Sequence, residues 1–114
     1  MAQFEEITID QGADFEMNLI IRQQNNAIKD LTGYSVAGQL RPTYLSGDSD
    51  AVTFGTEITD AFLGLVTVSL TDTQTATMNH LTTYVYDVET TDSDGIVKRI
   101  VQGVATINPS VTRL

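Results

Sequence analysis

Residues 84–107 constrain this chain more than any other stretch. They begin Tyr-Val-Tyr-Asp-Val-Glu, with Tyr84, Tyr86 and Val88 on one side and Val85, Asp87 and Glu89 on the other. A period of two is the mark of a strand. Asp94-Gly95 follows as a tight-turn signal, because glycine accepts the positive φ that a twisted hairpin needs. A second apolar run then reaches Ile107. The stretch reads as an antiparallel hairpin with a buried aromatic face, which the rest of the chain must cover. In its second arm both faces are part apolar: Ile100, Gln102, Val104 and Thr106 on one, Val101, Gly103, Ala105 and Ile107 on the other. Either a bulge near Gly103 switches the register, or a partner covers the second face. The bulge is the preferred expectation.

The remaining segments supply short strands. Residues 4–10 form the first, with Ile7 and Ile9 on one face. Residues 15–22 alternate again, placing Phe15, Met17, Leu19 and Ile21 together. Asn25-Asn26 suits a turn. A strand over 34–41 points Val36 and Leu40 inward and ends at Pro42, which has no N–H for the ladder. Residues 43–51 read as a polar loop and 52–59 as a weaker strand. Residues 65–70 put Val66, Val68 and Leu70 on one face. Thr71 with Gln74 three positions on is the spacing of a capping box, so one short helical turn is expected near 71–78. About seven short strands with turn signals between them describe an all-β antiparallel sandwich.

Composition narrows the function. At 114 residues, the chain is expected to be a single domain, 1–114. With no cysteine, disulfides and thiolate metal sites are excluded. Fifteen acidic residues face six basic ones, a net charge of −9. Binding to phosphates relies on the opposite balance, so nucleic acid and an anionic membrane surface are not expected partners. No apolar run approaches the roughly 20 residues of a membrane helix. The start, Met-Ala-Gln-Phe-Glu-Glu, has no basic or apolar region of a signal peptide. The expected setting is soluble, made in a cytoplasm.

Candidate chemistry is sparse. His80 is the single histidine and reads as a surface or capping residue. No Gly-x-Ser-x-Gly elbow or phosphate-cradling glycine loop occurs. Asp92-Ser93-Asp94-Gly95 has part of a calcium-loop pattern but lacks the third acid and closing Glu. Asp48 and Asp50 are equally incomplete, and turn chemistry accounts for both. Lys98-Arg99 could pair across the hairpin with Asp87 and Glu89. No catalytic, cofactor-binding or metal-ligating residue is assigned, no cofactor is expected, and a non-enzymatic role follows.

The order of motifs adds a resemblance. It runs Ile7-Thr8-Ile9-Asp10-Gln11-Gly12-Ala13-Asp14-Phe15, then Asp30-Leu31-Thr32-Gly33-Tyr34-Ser35-Val36, then Ile58-Thr59-Asp60, Gly64-Leu65-Val66 and Leu70-Thr71. It closes with Tyr84-Val85-Tyr86-Asp87-Val88, Asp94-Gly95 and Gln102-Gly103-Val104 to Pro109. This resembles the small Ig-like β-sandwich of tailed-bacteriophage structural proteins, notably the N-terminal domain of the baseplate upper protein family. The longer relatives continue into a host-adsorption domain, and none is expected after Pro109 here. The resemblance implies a virion structural protein, made in the bacterial host cytoplasm, that is oligomeric in the particle and contacts other virion proteins. A tail, neck or baseplate accessory is preferred, and a capsid decoration protein on the major capsid protein is the close alternative. A carbohydrate- or host-surface-binding module is the alternative from another class, with Tyr34, Tyr44 or Phe62 as its aromatic platform.

Overall fold

The computed structural model describes residues 3–23, 27–45 and 47–111. The Asn25-Asn26 turn and the extreme ends lie outside them. The hairpin is the centre of the larger of two sheets. Its arms are strands β8 (Tyr84–Thr91) and β9 (Val97–Asn108). Gly95, at φ 83°, makes the turn. Asp92 closes it, its Oδ1 accepting from the N–H groups of Asp94 at 2.9 Å and Ile96 at 3.0 Å.

Strand β4 (Ser35–Arg41) pairs antiparallel with β8, and β5 (Val52–Thr53) adds two residues outside it. On the other side, β1 (Gln3–Phe4) and β2 (Ile7–Asp10) run parallel to β9. They share one register, Gln3 opposite Val101 and Ile7 opposite Ala105, so they are one edge strand interrupted at Glu5-Glu6. The smaller sheet has the order β3-β7-β6, from β3 (Phe15–Ile20), β6 (Gly55–Asp60) and β7 (Leu65–Leu70). All its pairs are antiparallel. The chain passes from the larger sheet to the smaller at Phe54, whose N–H still donates to Gly38 O at 3.0 Å.

These orders are those of an immunoglobulin sandwich, with the second, fifth and fourth strands in one sheet and the third, sixth and seventh in the other. The connection into β8 carries a further mark of that fold. Tyr84 stands at the start of β8, and its Oη accepts from the Asn79 N–H five residues upstream at 3.0 Å, which is the geometry of a tyrosine corner. Tyr86, two positions later, stands where antibody domains place the second cysteine of the inter-sheet disulfide. Here Phe54 meets Tyr86 edge-on at 6.2 Å and Phe15 at 6.4 Å. Rings from both sheets thus occupy the region that a disulfide spans elsewhere.

The expected count of about seven strands becomes nine segments among the described residues. The first expected strand splits at Glu5-Glu6, and the one expected over 52–59 splits at Phe54 because the chain changes sheet there. The short helix is α1 (Asp72–Ala76), narrower than 71–78. Its capping box is complete: Gln74 N–H donates to Thr71 Oγ1 at 3.2 Å, and Thr71 N–H donates to Gln74 Oε1 at 2.9 Å. Five residues cannot hold a helix alone. Buried Thr75 docks it, accepting from Gly12 N–H at 3.0 Å and donating to Ala13 O at 2.8 Å.

The expected bulge near Gly103 is instead at Ile100, where Val88 faces Val101 but Glu89 faces Arg99. From Val101 onward the register is regular, and Val101, Gly103, Ala105 and Ile107 all face the core. Gly103 has a different task. A Cβ there would lie 1.9 Å from Glu5 O, so the missing side chain admits the interrupted edge strand. Glu5 N–H donates to Gln102 O at 2.9 Å. Tyr86, directly opposite Gly103, donates its hydroxyl to Glu5 O at 2.8 Å.

Candidate interaction surface

The residues singled out in the sequence do not converge. His80 is exposed in the turn after α1. Asp92 is occupied in closing the hairpin, and residues 48–50 form a single 3₁₀ turn. Among the described residues no group of three or more His, Cys, Asp or Glu side chains could hold a metal ion. Across the hairpin Arg99 Nε lies 3.2 Å from Asp87 Oδ2, one of the expected charge pairs, in a setting where such pairs contribute little.

Nor do the three candidate aromatic rings meet at one place. Tyr34 precedes β4 and is half-buried, with Lys29 Nζ 5.4 Å from its ring centroid. Tyr44 follows β4 and is 78% exposed. The seven residues of β4 hold the two at opposite ends of the sandwich. Phe62 sits in the turn between β6 and β7, beyond Ala61, whose carbonyl accepts from Leu31 N–H at 2.8 Å. A platform built from all three is therefore not present.

Two surfaces stand out. The first is the outer face of the larger sheet, where a depression of about 350 Å³ lies between Gln39, Arg41, Asp87, Arg99, Gln102 and Tyr44, among others. Its side chains hold one another: Arg41 Nη2 donates to Gln39 Oε1 at 2.9 Å, and Arg99 Nη1 donates to Gln102 Oε1 at 2.9 Å. Gln39 Nε2 in turn donates to Thr53 Oγ1 at 3.1 Å.

The second is an apolar end. Ile21 N–H donates to Gly64 O at 2.8 Å, and Lys29 N–H donates to Ile21 O at 3.1 Å. Gly64, at φ 67°, lets three backbones meet, since a Cβ there would lie 2.7 Å from Ile21 O and 2.8 Å from Lys29 O. The neighbouring side chains Ile20, Ile28, Phe62 and Leu63 point outward, at 51%, 44%, 75% and 49% exposure. The hairpin tip lies toward the same end, Gly33 being close to Ser93, and it adds exposed Ile96 and Val97. Single exposed apolar residues are ordinary, but several gathered around one backbone junction form a patch of the kind that marks contact with another molecule. The hydrophobic residues of this end were visible in the sequence. Their gathering was not, because it depends on contacts between residues 21, 29 and 64.

No family model and no curated protein matches the sequence. Among solved structures the chain is similar to murine CRIg, with a TM-score of 0.39 and 16% identity over 93% of this chain and 92% of that one. A likeness this loose says nothing about what the protein binds.

Proposed function

We propose that this protein is a non-enzymatic structural component of a tailed-phage virion, held in the particle by protein–protein contacts. The observation that supports this reading is the apolar end formed by Ile20, Ile28, Phe62 and Leu63, a surface suited to burial against a neighbouring subunit. The motif order described above supports the phage setting, and within it a tail, neck or baseplate accessory is preferred to a capsid decoration protein. Quantitative mass spectrometry on purified virions split into heads and tails tests the proposal. Enrichment with tails at the low copy number of a ring makes the protein a neck or baseplate adaptor. Enrichment with heads at a copy number near that of the shell protein makes it a decoration protein. Absence from both fractions overturns the virion reading.

A carbohydrate- or host-surface-binding module is the second reading, supported by Tyr44 at the rim of the polar depression. Planar polar side chains beside one exposed ring suit the hydroxyls and flat face of a sugar. A glycan titration that leaves the Tyr44 ring resonances unmoved removes this reading.

A further inference from the structure

We propose that the free edge of β3 receives an extended segment of a basic partner protein as an additional strand of the smaller sheet. The proposal deepens the assembly reading and rests on it only for the partner being another virion protein. Strand β3 pairs along its length with β7, and among the described residues no strand pairs with its other side. An edge of this kind presents alternate N–H and C=O groups that another strand can satisfy.

The other edges are blunted. Strand β5 has two residues. The β1–β2 edge is broken at Glu5-Glu6. Strand β6 has a register shift between Ile58 and Asp60, and it approaches β4 where Thr56 Oγ1 donates to Val36 O at 2.8 Å. Strand β3 is six residues without a bulge, proline or lysine, so of the devices that keep edges from pairing it carries one charge alone, Glu16, which repels acidic strands and admits basic ones.

Its inner face is also incompletely covered. Val66, Val68 and Leu70 of central β7 are 1%, 0% and 3% exposed, whereas Phe15, Met17 and Leu19 opposite them are only half-buried. An added strand would place every second side chain over that apolar shelf.

Charge selects the partner. The three strands of this sheet carry Glu16, Glu57 and Asp60 and no Lys or Arg. The lysine and arginine residues within the described strands, Arg41, Lys98 and Arg99, are all in the other sheet. A second copy of this chain would bring two net charges of −9 together. A strand with apolar residues inward and Lys or Arg outward meets Glu16 directly, and such complementarity favours encounter and register.

Amide exchange on the labelled protein tests this, with a capped peptide of alternating Lys and Val as probe and its Glu-Val counterpart as control. The expected result is slowing of roughly tenfold or more at outward amides of residues 15–20, saturable and weakened by salt. It should appear with the Lys-Val peptide and not with the Glu-Val peptide. Glu16→Lys, an exposed change that leaves packing intact, should reverse that preference. Protection elsewhere, no protection, or equal protection by both peptides overturns the proposal. Protection of β3 that rises with the protein's own concentration, without peptide, overturns the basic partner in favour of a second copy. The titration is independent of virion fractionation, so the edge and the virion reading fail separately.

Discussion

Tyr86 and Gly103 act as one unit. The tyrosine covers the glycine, and its hydroxyl reaches past it to Glu5 O. Truncating Tyr86 to Ala removes ring contacts and that bond together and should cost about 3–5 kcal/mol, as for other buried aromatics; a denaturant titration checks it, and a cost under about 1 kcal/mol would contradict the packing described. Adding a methyl group at Gly103 forces the edge strand away, so Gly103→Ala should cost about 1–3 kcal/mol and raise exchange at residues 3–10. Burial, and then the Glu5 carboxylate, push the Tyr86 hydroxyl up to about 12. This lies above the value near 10 expected in the unfolded chain. The folded state therefore holds the proton more tightly, and the stability this gives is complete below pH about 10 and lost as pH rises toward about 12. Thermal melts across that window should show a shallower alkaline decline for Tyr86→Phe. The alternation of residues 84–88 was enough to bury Tyr86. The role of Gly103 was not legible, because a strand glycine signals either a bulge or a close backbone approach, and its neighbour Glu5 is remote in sequence.

Among the elements, α1 was the most readable, since a capping box is a local pattern. Thr71→Ala should remove a cap and cost about 0.5–2 kcal/mol, measurable as a shifted denaturation midpoint with unchanged slope. What docks α1 was hidden: Gln74 Nε2 also donates to Thr53 O at 2.8 Å, and Gln11 Nε2 donates to Met78 O at 2.8 Å. Antiparallel neighbours joined by short turns, such as β8–β9 and β6–β7, were legible because turn and period coincide. The parallel attachment of β1 and β2 to β9 leaves no turn to read. Nor does the change of sheet at Phe54, where one apolar run serves two sheets.

For the whole molecule, a net charge of −9 means self-repulsion in the compact state. Added salt should raise the melting temperature by screening it, and a chelator should leave it unchanged. The acidic excess was plain in the sequence, but its segregation, with the strand cations confined to one sheet, required the fold. Candidate surfaces were the least legible part. The apolar end and the β3 edge are made from segments distant in the chain, and sequence periodicity marks only which side of a strand is apolar, not which strand lacks a neighbour. The parallel edge strand has a mechanical consequence. Residue 3 leaves β1 at the hairpin end, and Asn108 closes β9 at the opposite end. Tension applied between them runs along the two paired strands in opposite senses, loading their ladder in shear instead of peeling one bond at a time. Pulled from these ends, the sandwich should hold as a single clamp and release in one step, the behaviour of a link that can carry load between two neighbours.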